Sequence, residues 1–282
     1  MNLGRFVRRL ARASVIAGLA GALLQVPAAP AHAAPGGSGP YPADYETSLR
    51  LRDHTIYRPE TIPDGLKLPI VAWGNGACRA DGTWFQNILR EFASHGFLVI
   101  ANGRPGGSGT TDADMLTEAI DWAIAENGRI GSRYRGKIDT GRIAVMGQSC
   151  GGLEAYEVSA RDSRVTATGI FNSGLLSPLD KPLLSRLRAP IAYFIGGPTD
   201  IAYRNAMDDW RRLPSGLPAF MGNLDVGHFA TYDQPNGGEF GRVGSAWIKW
   251  QLKGDAAAKS LFVGPDCRLC NTDWDVMQKN LS

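Results

Sequence analysis

The sequence predicts a doubly wound α/β fold with a mostly parallel sheet flanked by helices. Short continuous apolar runs recur along the chain, segments with helical spacing separate them, and glycine-rich loops follow several of the runs. Continuous apolar runs are typical of strands buried on both faces, and such strands form parallel sheets covered by helices. The chain has 282 residues, of which 44% are hydrophobic and 20% charged, enough apolar material for one large core.

Apolar runs and helical spacing alternate along the chain. The predicted strands are residues 69–73, 97–101, 143–146, 169–171, 191–195 and 219–224, the last run being the expected final strand. Helical spacing predicts helices over residues 82–94, 112–126, 153–160 and 241–252. Because ligands of open parallel sheets bind beyond the carboxyl ends of the strands, the residues just after each run are the candidates for function.

The first 33 residues have the three parts of a secretory signal peptide. Arginines between Arg5 and Arg12 precede an apolar stretch from Ser14 to Val26, and Ala31-His32-Ala33 has the small residues of a cleavage site. A membrane anchor is the alternative, but the apolar run is shorter than a membrane span requires. We expect cleavage after Ala33 and a secreted protein, extracellular or periplasmic, with no stable membrane insertion.

The remainder of the chain is predicted to be a flexible leader over residues 34–43 and one domain over residues 44–282. Residues 1–33 contain four arginines and no acidic residue, so their removal changes the formal net charge from +3 to −1. A nucleic-acid-binding protein would need a retained cluster of Lys and Arg, and no such run follows residue 33. Nucleic acid is therefore not an expected partner.

A G-x-S-x-G motif lies between a predicted strand and a predicted helix. It reads Gly147-Gln148-Ser149-Cys150-Gly151 and follows the run at 143–146. In this setting the chain turns so tightly that side chains two residues before and after the serine would collide, and the turn lifts the hydroxyl above the sheet. Ser149 is therefore the candidate nucleophile of a serine hydrolase, with residues 44–282 as its catalytic domain.

A serine nucleophile needs a base, and His228 is the candidate. The chain has four histidines: His32 leaves with the signal peptide, His54 precedes the predicted strands, and His95 is expected to cap a helix end. His228 directly follows the predicted final strand, where this fold places its general base.

The acid that orients the histidine is expected between serine and histidine in chain order. Asp200 follows the run at 191–195 through a glycine-containing turn, which is the expected position. Asp208 and Asp209 fall in a helical segment, and Asp225 is only three residues from His228. Asp200 is therefore the candidate acid.

Acyl transfer also needs hydrogen-bond donors for the developing oxyanion. One donor is expected to be the backbone N–H of Cys150, and the other an N–H of Gly76, Ala77 or Cys78 in the loop after the first parallel strand. Since both donors must reach one oxygen, the two loops must lie close enough for Cys78 and Cys150 to form a disulfide. Two independent buried thiols are the alternative.

The other two cysteines, Cys267 and Cys270, are then left to pair within the C-terminal tail. A zinc site is the alternative, but these two residues supply only half of a four-ligand set. We expect no metal and no organic cofactor.

Over residues 44–282 the chain resembles the α/β-hydrolase superfamily, in particular the branch of dienelactone hydrolases, chlorophyllases and polyester hydrolases. The resemblance rests on residues 147–152, residues 92–100, Asp200 and Gly227-His228-Phe229. It implies the α/β-hydrolase fold and triad roles for Ser149, Asp200 and His228. The nucleophile of dienelactone hydrolase is a cysteine, unlike Ser149. Polyester hydrolases usually carry His-Ser-Met where this chain has Gln148-Ser149-Cys150, so polymer cleavage is not implied.

The predicted activity is hydrolysis of carboxylic esters, small or polymeric, through an acyl-enzyme. An acyltransferase would use the same triad and pass the acyl group to an alcohol, and a non-catalytic binding protein on the same fold is the other alternative. Candidate pocket residues, which are equally candidates for the core or the rim, are Trp84, Phe85, residues 105–109, Tyr203 and Phe229.

Overall fold

The computed structural model describes residues 36–264 and 267–282, so the predicted signal peptide at residues 1–33 lies outside the described residues. The described strands are β1 (Ala43–Ser48), β2 (Leu51–Pro59), β3 (Leu68–Gly74), β4 (Leu98–Asn102), β5 (Ile138–Gln148), β6 (Ala167–Phe171), β7 (Ile191–Ile195), β8 (Ala219–Asn223) and β9 (Asp275–Lys279). The helices are α1 (Gln86–Ser94), α2 (Ala113–Gly128), α3 (Cys150–Arg161), α4 (Tyr203–Arg212), α5 (Gly238–Lys253) and α6 (Ala256–Lys259).

These strands form one sheet in the order β1-β2-β4-β3-β5-β6-β7-β8-β9. Strands β3 to β8 are mutually parallel, which confirms the predicted mostly parallel α/β fold. Side chains of β3 alternate between the two faces of the sheet: Ile70 and Ala72 belong to one apolar cluster, and Val71 and Trp73 belong to the other. Because both faces are covered, the strands appear in the sequence as unbroken apolar runs.

Helices cover both faces of this sheet. Leu116 of α2, Tyr156 of α3 and Trp210 of α4 lie in the cluster that contains Ile70. Phe92 of α1 and Trp247 of α5 lie in the cluster on the opposite face. The chain is therefore doubly wound, and the carboxyl ends of the parallel strands meet along one edge of the sheet.

Three antiparallel strands at the sheet edges are missing from the prediction. The pairs β1–β2, β2–β4 and β8–β9 are antiparallel. The expectation that residues 219–224 form the final strand was wrong, because β9 adds to the sheet beyond β8. His54 also lies within β2, opposite Asn102 of β4, and not before the strands of the sheet. These strands mix polar and apolar residues because the sheet edges are only partly covered.

Residues 36–43, expected in the flexible leader, make ordered contacts with the domain. Gly36 bridges to Ala43, and the backbone N–H and the hydroxyl of Ser38 each donate a 2.6 Å hydrogen bond to the carboxylate of Glu91 on α1. The Glu91 carboxylate thus supplies acceptors that tie this segment to α1.

The starting residues of two helices have identifiable causes. The carboxylate of Asp112 accepts from the backbone N–H groups of Asp114 and Met115 and so caps α2. Helix α1 begins at Gln86, later than predicted, because the Asp81 carboxylate accepts from the N–H and the hydroxyl of Thr83 and holds that segment in a turn. None of the helices in the described part of the chain has the length and apolar character that crossing a membrane requires.

Candidate active site

The turn between β5 and α3 holds Ser149 in a strained backbone conformation. Its φ of 52° and ψ of −116° lie in a region that few residues other than glycine adopt. A Cβ added at Gly147 would lie 2.2 Å from the carbonyl oxygen of Gly151, and one added at Gly151 would lie 2.0 Å from the carbonyl carbon of Gly74. Both flanking positions therefore need glycine, as the motif predicts.

The loop after β8 brings His228 to the serine. Its Nε2 lies 3.1 Å from Oγ of Ser149, and its Nδ1 lies 2.7 Å from Oδ1 of Asp200. The three side chains follow the ends of β5, β7 and β8, which are separate in sequence; β7 and β8 are neighbours in the sheet, and β6 lies between β5 and β7. The structure thus brings together the three residues that the sequence selects for a triad.

Asp200 is buried and receives four hydrogen bonds. Its Oδ1 accepts from His228 and from the backbone N–H of Ala202 at 2.9 Å, and its Oδ2 accepts from the N–H of Gly196 at 3.0 Å and from Nδ2 of Asn172 at 2.8 Å. Burial by itself would raise the pKa of Asp200, but the hydrogen bonds from His228, the two amides and Asn172 outweigh it and lower the pKa below its usual value. The carboxylate is held charged against the imidazole.

Asn172 and Tyr232 form a second layer behind the aspartate that the sequence analysis missed. Asn172 follows β6 and is fully buried, and its Oδ1 accepts a hydrogen bond from the hydroxyl of Tyr232. Burial raises the pKa of Tyr232, and the negative charge of Asp200 raises it further. The hydroxyl therefore stays protonated and can donate to Asn172. The signal for Asn172 was its place just after a strand, where functional residues are expected.

Two further polar side chains hold the loops around the serine. Nε2 of Gln148 donates to the carbonyl of His228 at 3.2 Å, and the hydroxyl of Ser173 donates to the carbonyl of Ser149 at 2.6 Å. A Cβ added at Gly76 would lie 2.1 Å from Oε1 of Gln148. Gln148 therefore lies between the His228 loop and the loop at residues 75–78, and contacts both.

The loop after β3 approaches the start of α3, as the oxyanion prediction requires. Residues 76–78 form a single 3-10 turn in which Ala77 has φ 51° and Cys78 has φ 47°, both in the left-handed region. Cys150 is the first residue of α3, and backbone N–H groups in the first turn of a helix have no partner within the helix. The loop at residues 75–78 and the start of α3 therefore lie close together next to Ser149.

Both disulfides that the sequence predicts are present in the structure. Cys78 is joined to Cys150 with a Cα–Cα distance of 5.1 Å, and Cys267 is joined to Cys270 with a Cα–Cα distance of 5.2 Å. The first bond ties the loop at residues 75–78 to the residue after Ser149. The second closes a short loop in the tail, so its sulfurs are not free as zinc ligands.

A mostly apolar cavity of about 170 Å³ opens beside the serine. Its lining residues are Ser149, Cys150, Leu153, Asn172, Ser173, Gly174, Leu176, Ile201, Ala202 and His228. Leu176 is 68% exposed and Ile201 is 77% exposed, so the cavity has an apolar rim that faces solvent. Ser149 and His228 therefore line an open, mostly apolar pocket.

The pocket residues proposed from the sequence do not line this cavity. Phe85 is buried in the core against Trp73. Tyr203, the first residue of α4, packs against the apolar cluster that contains Ile70. Phe229 is 74% exposed and contacts the His228 ring, and Trp84 is also exposed. Leu176 and Ile201 were not foreseen, because nothing local in the sequence shows that the loops after β6 and β7 face the same cavity.

Comparison with protein-family models gives a match to the family described as "PETase: PET hydrolase-like", over residues 52–279. Comparison with curated proteins gives no match. The family match spans every parallel strand of the sheet and the three residues of the Ser149, Asp200 and His228 cluster.

Proposed function

Because the chain belongs to the PET hydrolase-like family and is thus a carboxylic ester hydrolase, we propose that it works through an acyl-enzyme on Ser149. His228 is the general base and Asp200 the orienting acid. The observation that carries the proposal is the continuous hydrogen-bonded line from Ser149 Oγ through the imidazole to the buried carboxylate, with steps of 3.1 Å and 2.7 Å. A serine hydroxyl becomes an effective nucleophile only when such a base accepts its proton.

In the acylation step Oγ of Ser149 attacks the carbonyl carbon of the ester while Nε2 of His228 takes the hydroxyl proton. Asp200 accepts the hydrogen bond from Nδ1, which fixes the tautomer and stabilises the imidazolium. The C–O bond to the leaving alcohol then breaks, and His228 returns the proton to that oxygen. Water repeats the sequence on the acyl-enzyme, giving the carboxylic acid and free Ser149.

The charge that develops on the carbonyl oxygen needs backbone donors. The N–H of Cys150 and one N–H of Gly76, Ala77 or Cys78 fill this role in our proposal, because the disulfide between Cys78 and Cys150 holds the two loops together. Loss of one such donor typically costs about 3 kcal/mol of transition-state stabilisation.

The substrate is proposed to be a small or polymeric ester with an apolar group next to the scissile bond. The cavity of about 170 Å³ beside Ser149 accepts a compact apolar group, and the exposed side chains of Leu176 and Ile201 extend that apolar surface outward. No group at the site requires a metal or an organic cofactor for the steps above.

We also propose that the protein is secreted, with residues 1–33 removed on export. Disulfides form and persist in oxidising compartments, and the described residues contain two of them. N-terminal sequencing of the exported protein is expected to begin at Ala34. Retention of residues 1–33 on a membrane-bound product would contradict this.

The test of the proposed chemistry is ester hydrolysis by wild type and by Ser149→Ala over a panel of acyl esters. We expect the variant to lose at least about 10³-fold in kcat, since triad residues act as a unit. Ser159→Ala is the matched control, because Ser159 lies on the same helix, is buried, and forms a hydrogen bond of 2.6 Å between its hydroxyl and that of Thr168. An active Ser149→Ala variant would overturn the proposal.

A further inference from the structure

Glu154 is a buried carboxylate close to the site that the reaction steps above do not use. It lies on α3, one turn beyond Cys150, and is 5% exposed. Its two oxygens accept hydrogen bonds from two neutral side chains, Asn102 and Thr111. A carboxylate with only neutral partners is costly to bury, so its presence needs a reason in the contacts it makes.

The first oxygen of Glu154 connects to the start of the loop at residues 75–78. Nδ2 of Asn102 donates to Oε2 of Glu154 at 2.6 Å, and Oδ1 of Asn102 accepts from the backbone N–H of Asn75 at 3.0 Å. The side chain of Asn75 donates in turn to the carbonyl of Asn102 at 2.6 Å. All three side chains are buried, so this connection is shielded from water.

The second oxygen connects to the end of the same loop. The hydroxyl of Thr111 donates to Oε1 of Glu154 at 2.6 Å, and the backbone N–H of Thr111 donates to the carbonyl of Cys78 at 2.8 Å. One carboxylate therefore holds the loop at both ends through one intermediate residue on each side.

The loop that is held this way has a conformation that needs support. Ala77 and Cys78 both have positive φ, which costs energy in residues with a Cβ and persists only where the surroundings impose it. Glu154 shares helix α3 with Cys150, whose N–H is the other proposed oxyanion donor. Both donors are thus fixed relative to one helix.

We propose that Glu154 is a positioning residue that sets the distance between the two oxyanion donors by holding Asn75 and Cys78 against α3. This role of Glu154 rests on the serine hydrolase mechanism proposed above and adds one residue to that mechanism. Burial raises the pKa of Glu154 to about 7; the hydrogen bonds from Thr111 and Asn102 oppose this shift, and the charges of Asp112 and Glu157 add to it. Burial at this position therefore destabilises the charged form of Glu154. A buried carboxylate whose hydrogen-bond partners are neutral departs from the usual rules of burial, and such departures are expected at functional sites.

Either protonation state of Glu154 preserves both links. The carboxylate accepts from Asn102 and Thr111, and the protonated acid donates to the Thr111 hydroxyl while still accepting from Asn102. A glutamine does the same, since its Oε1 accepts from Asn102 and its Nε2 donates to the Thr111 hydroxyl. Leucine fills the space and makes neither bond.

The experiment compares Glu154→Leu and Glu154→Gln in ester hydrolysis and in binding of a trifluoromethyl ketone, which adds to serine and forms an oxyanion. For Glu154→Leu we expect kcat to fall about 10- to 100-fold with KM changed less than about 3-fold, and ketone affinity to fall by the same factor as kcat/KM. Affinity for the carboxylic acid product is expected to stay unchanged. Glu154→Gln is expected to stay within about 3-fold of wild type.

Glu126→Leu is the matched control. Glu126 is 4% exposed and bonds Arg129 and Ser132 near the carboxyl end of α2, away from the carboxyl edge of the sheet. We expect it to lower thermal stability while leaving kcat and ketone affinity unchanged. If Glu154→Leu does not fold, Thr111→Val removes only one link and is expected to lower kcat several-fold with the same parallel loss of ketone affinity.

Wild-type kcat in Glu154→Leu, or a kcat loss without loss of ketone affinity, would overturn the inference. So would an equal kcat loss in Glu126→Leu. The proposed function is judged separately: if Ser149→Ala remains active, the mechanism itself is wrong, whereas an inactive Ser149→Ala together with a normal Glu154→Leu contradicts only the role of Glu154.

Discussion

Two buried carboxylates lie on opposite sides of Ser149, and their surroundings give them opposite electrostatic properties. Asp200 receives four donors, including an imidazole and two backbone amides, and its pKa is lowered. Glu154 receives two neutral side-chain donors, and burial raises its pKa to about 7. Burial raises the pKa of both carboxylates, so the number of hydrogen-bond donors, four for Asp200 and two for Glu154, accounts for the opposite directions of the two shifts.

The two acids also differ in what they hold. Asp200 contacts the imidazole directly, so its charge enters the proposed reaction. Glu154 contacts residues that position a backbone loop, so its geometry matters more than its charge. In the proposed mechanism Asp200 supplies charge next to His228, whereas Glu154 fixes the position of a backbone loop.

The largest expected effect concerns Asp200, whose pKa is lowered. Asp200→Asn keeps the size of the side chain and removes the charge, and we expect kcat to fall about 10³- to 10⁴-fold, because the amide no longer fixes the histidine tautomer. Steady-state ester kinetics measure it. Asp225→Asn is the control, since Asp225 is exposed and bonds Thr199 at 2.9 Å; a loss below about 10-fold in Asp200→Asn would contradict the assignment.

The next effect concerns Glu154 and the pH dependence of the free energy of unfolding. The folded-state pKa of Glu154 lies above its ordinary value of 4.5, so its contribution to stability is fully present below pH 4.5 and is lost as pH rises through about 7. Between these two pH values the contribution of Glu154 to the free energy of unfolding changes by about 3 kcal/mol at most. We expect Glu154→Gln to remove this pH dependence, so that urea unfolding at pH 5 and pH 8 shows a smaller drop than in wild type.

For Asp200 the sign is reversed. Its lowered pKa means that its contribution is present above its unfolded-state pKa and is lost as pH falls through its folded-state pKa. If wild type and Glu154→Gln lose the same stability between pH 5 and pH 8, the contrast between the two acids is wrong.

The smallest expected effect concerns the residues behind Asp200. Tyr232→Phe removes the hydrogen bond to Asn172, which in turn donates to Asp200, and we expect kcat/KM to fall about 2- to 10-fold. Tyr156→Phe is the control, because Tyr156 is equally buried and bonds Tyr193 and Asp209 in the core. Equal losses in both variants would assign Tyr232 to the core alone.

The parallel strands, and the side chains of Ser149, Asp200 and His228 that meet at one edge of the sheet, could be predicted because their signals are local. Strands that are buried on both faces appear in the sequence as continuous apolar runs. A serine with glycines two residues before and after it, placed between a strand and a helix, identifies the tight turn that holds it. Antiparallel strands β1, β2 and β9 carry mixed patterns, since each lies at or near an edge of the sheet. Their sequences do not differ enough from loops to be recognised.

The positioning residues could not be predicted because their partners are distant in sequence. Glu154 is 52 residues from Asn102 and 43 from Thr111, and Asn172 is 28 residues from Asp200. Each is a common polar residue whose role depends on where its partners lie in space. Only the position of Asn172 after a strand gave a signal.

The most direct test of the central claim is to label the protein with a fluorophosphonate and locate the adduct by mass spectrometry. After reduction of the disulfides, trypsin releases residues 143–161, which contain two serines, Ser149 and Ser159. We predict an adduct on Ser149 that is absent from Ser149→Ala and His228→Ala and present in Ser159→Ala. An adduct on another residue, or none on a folded protein, would contradict the account.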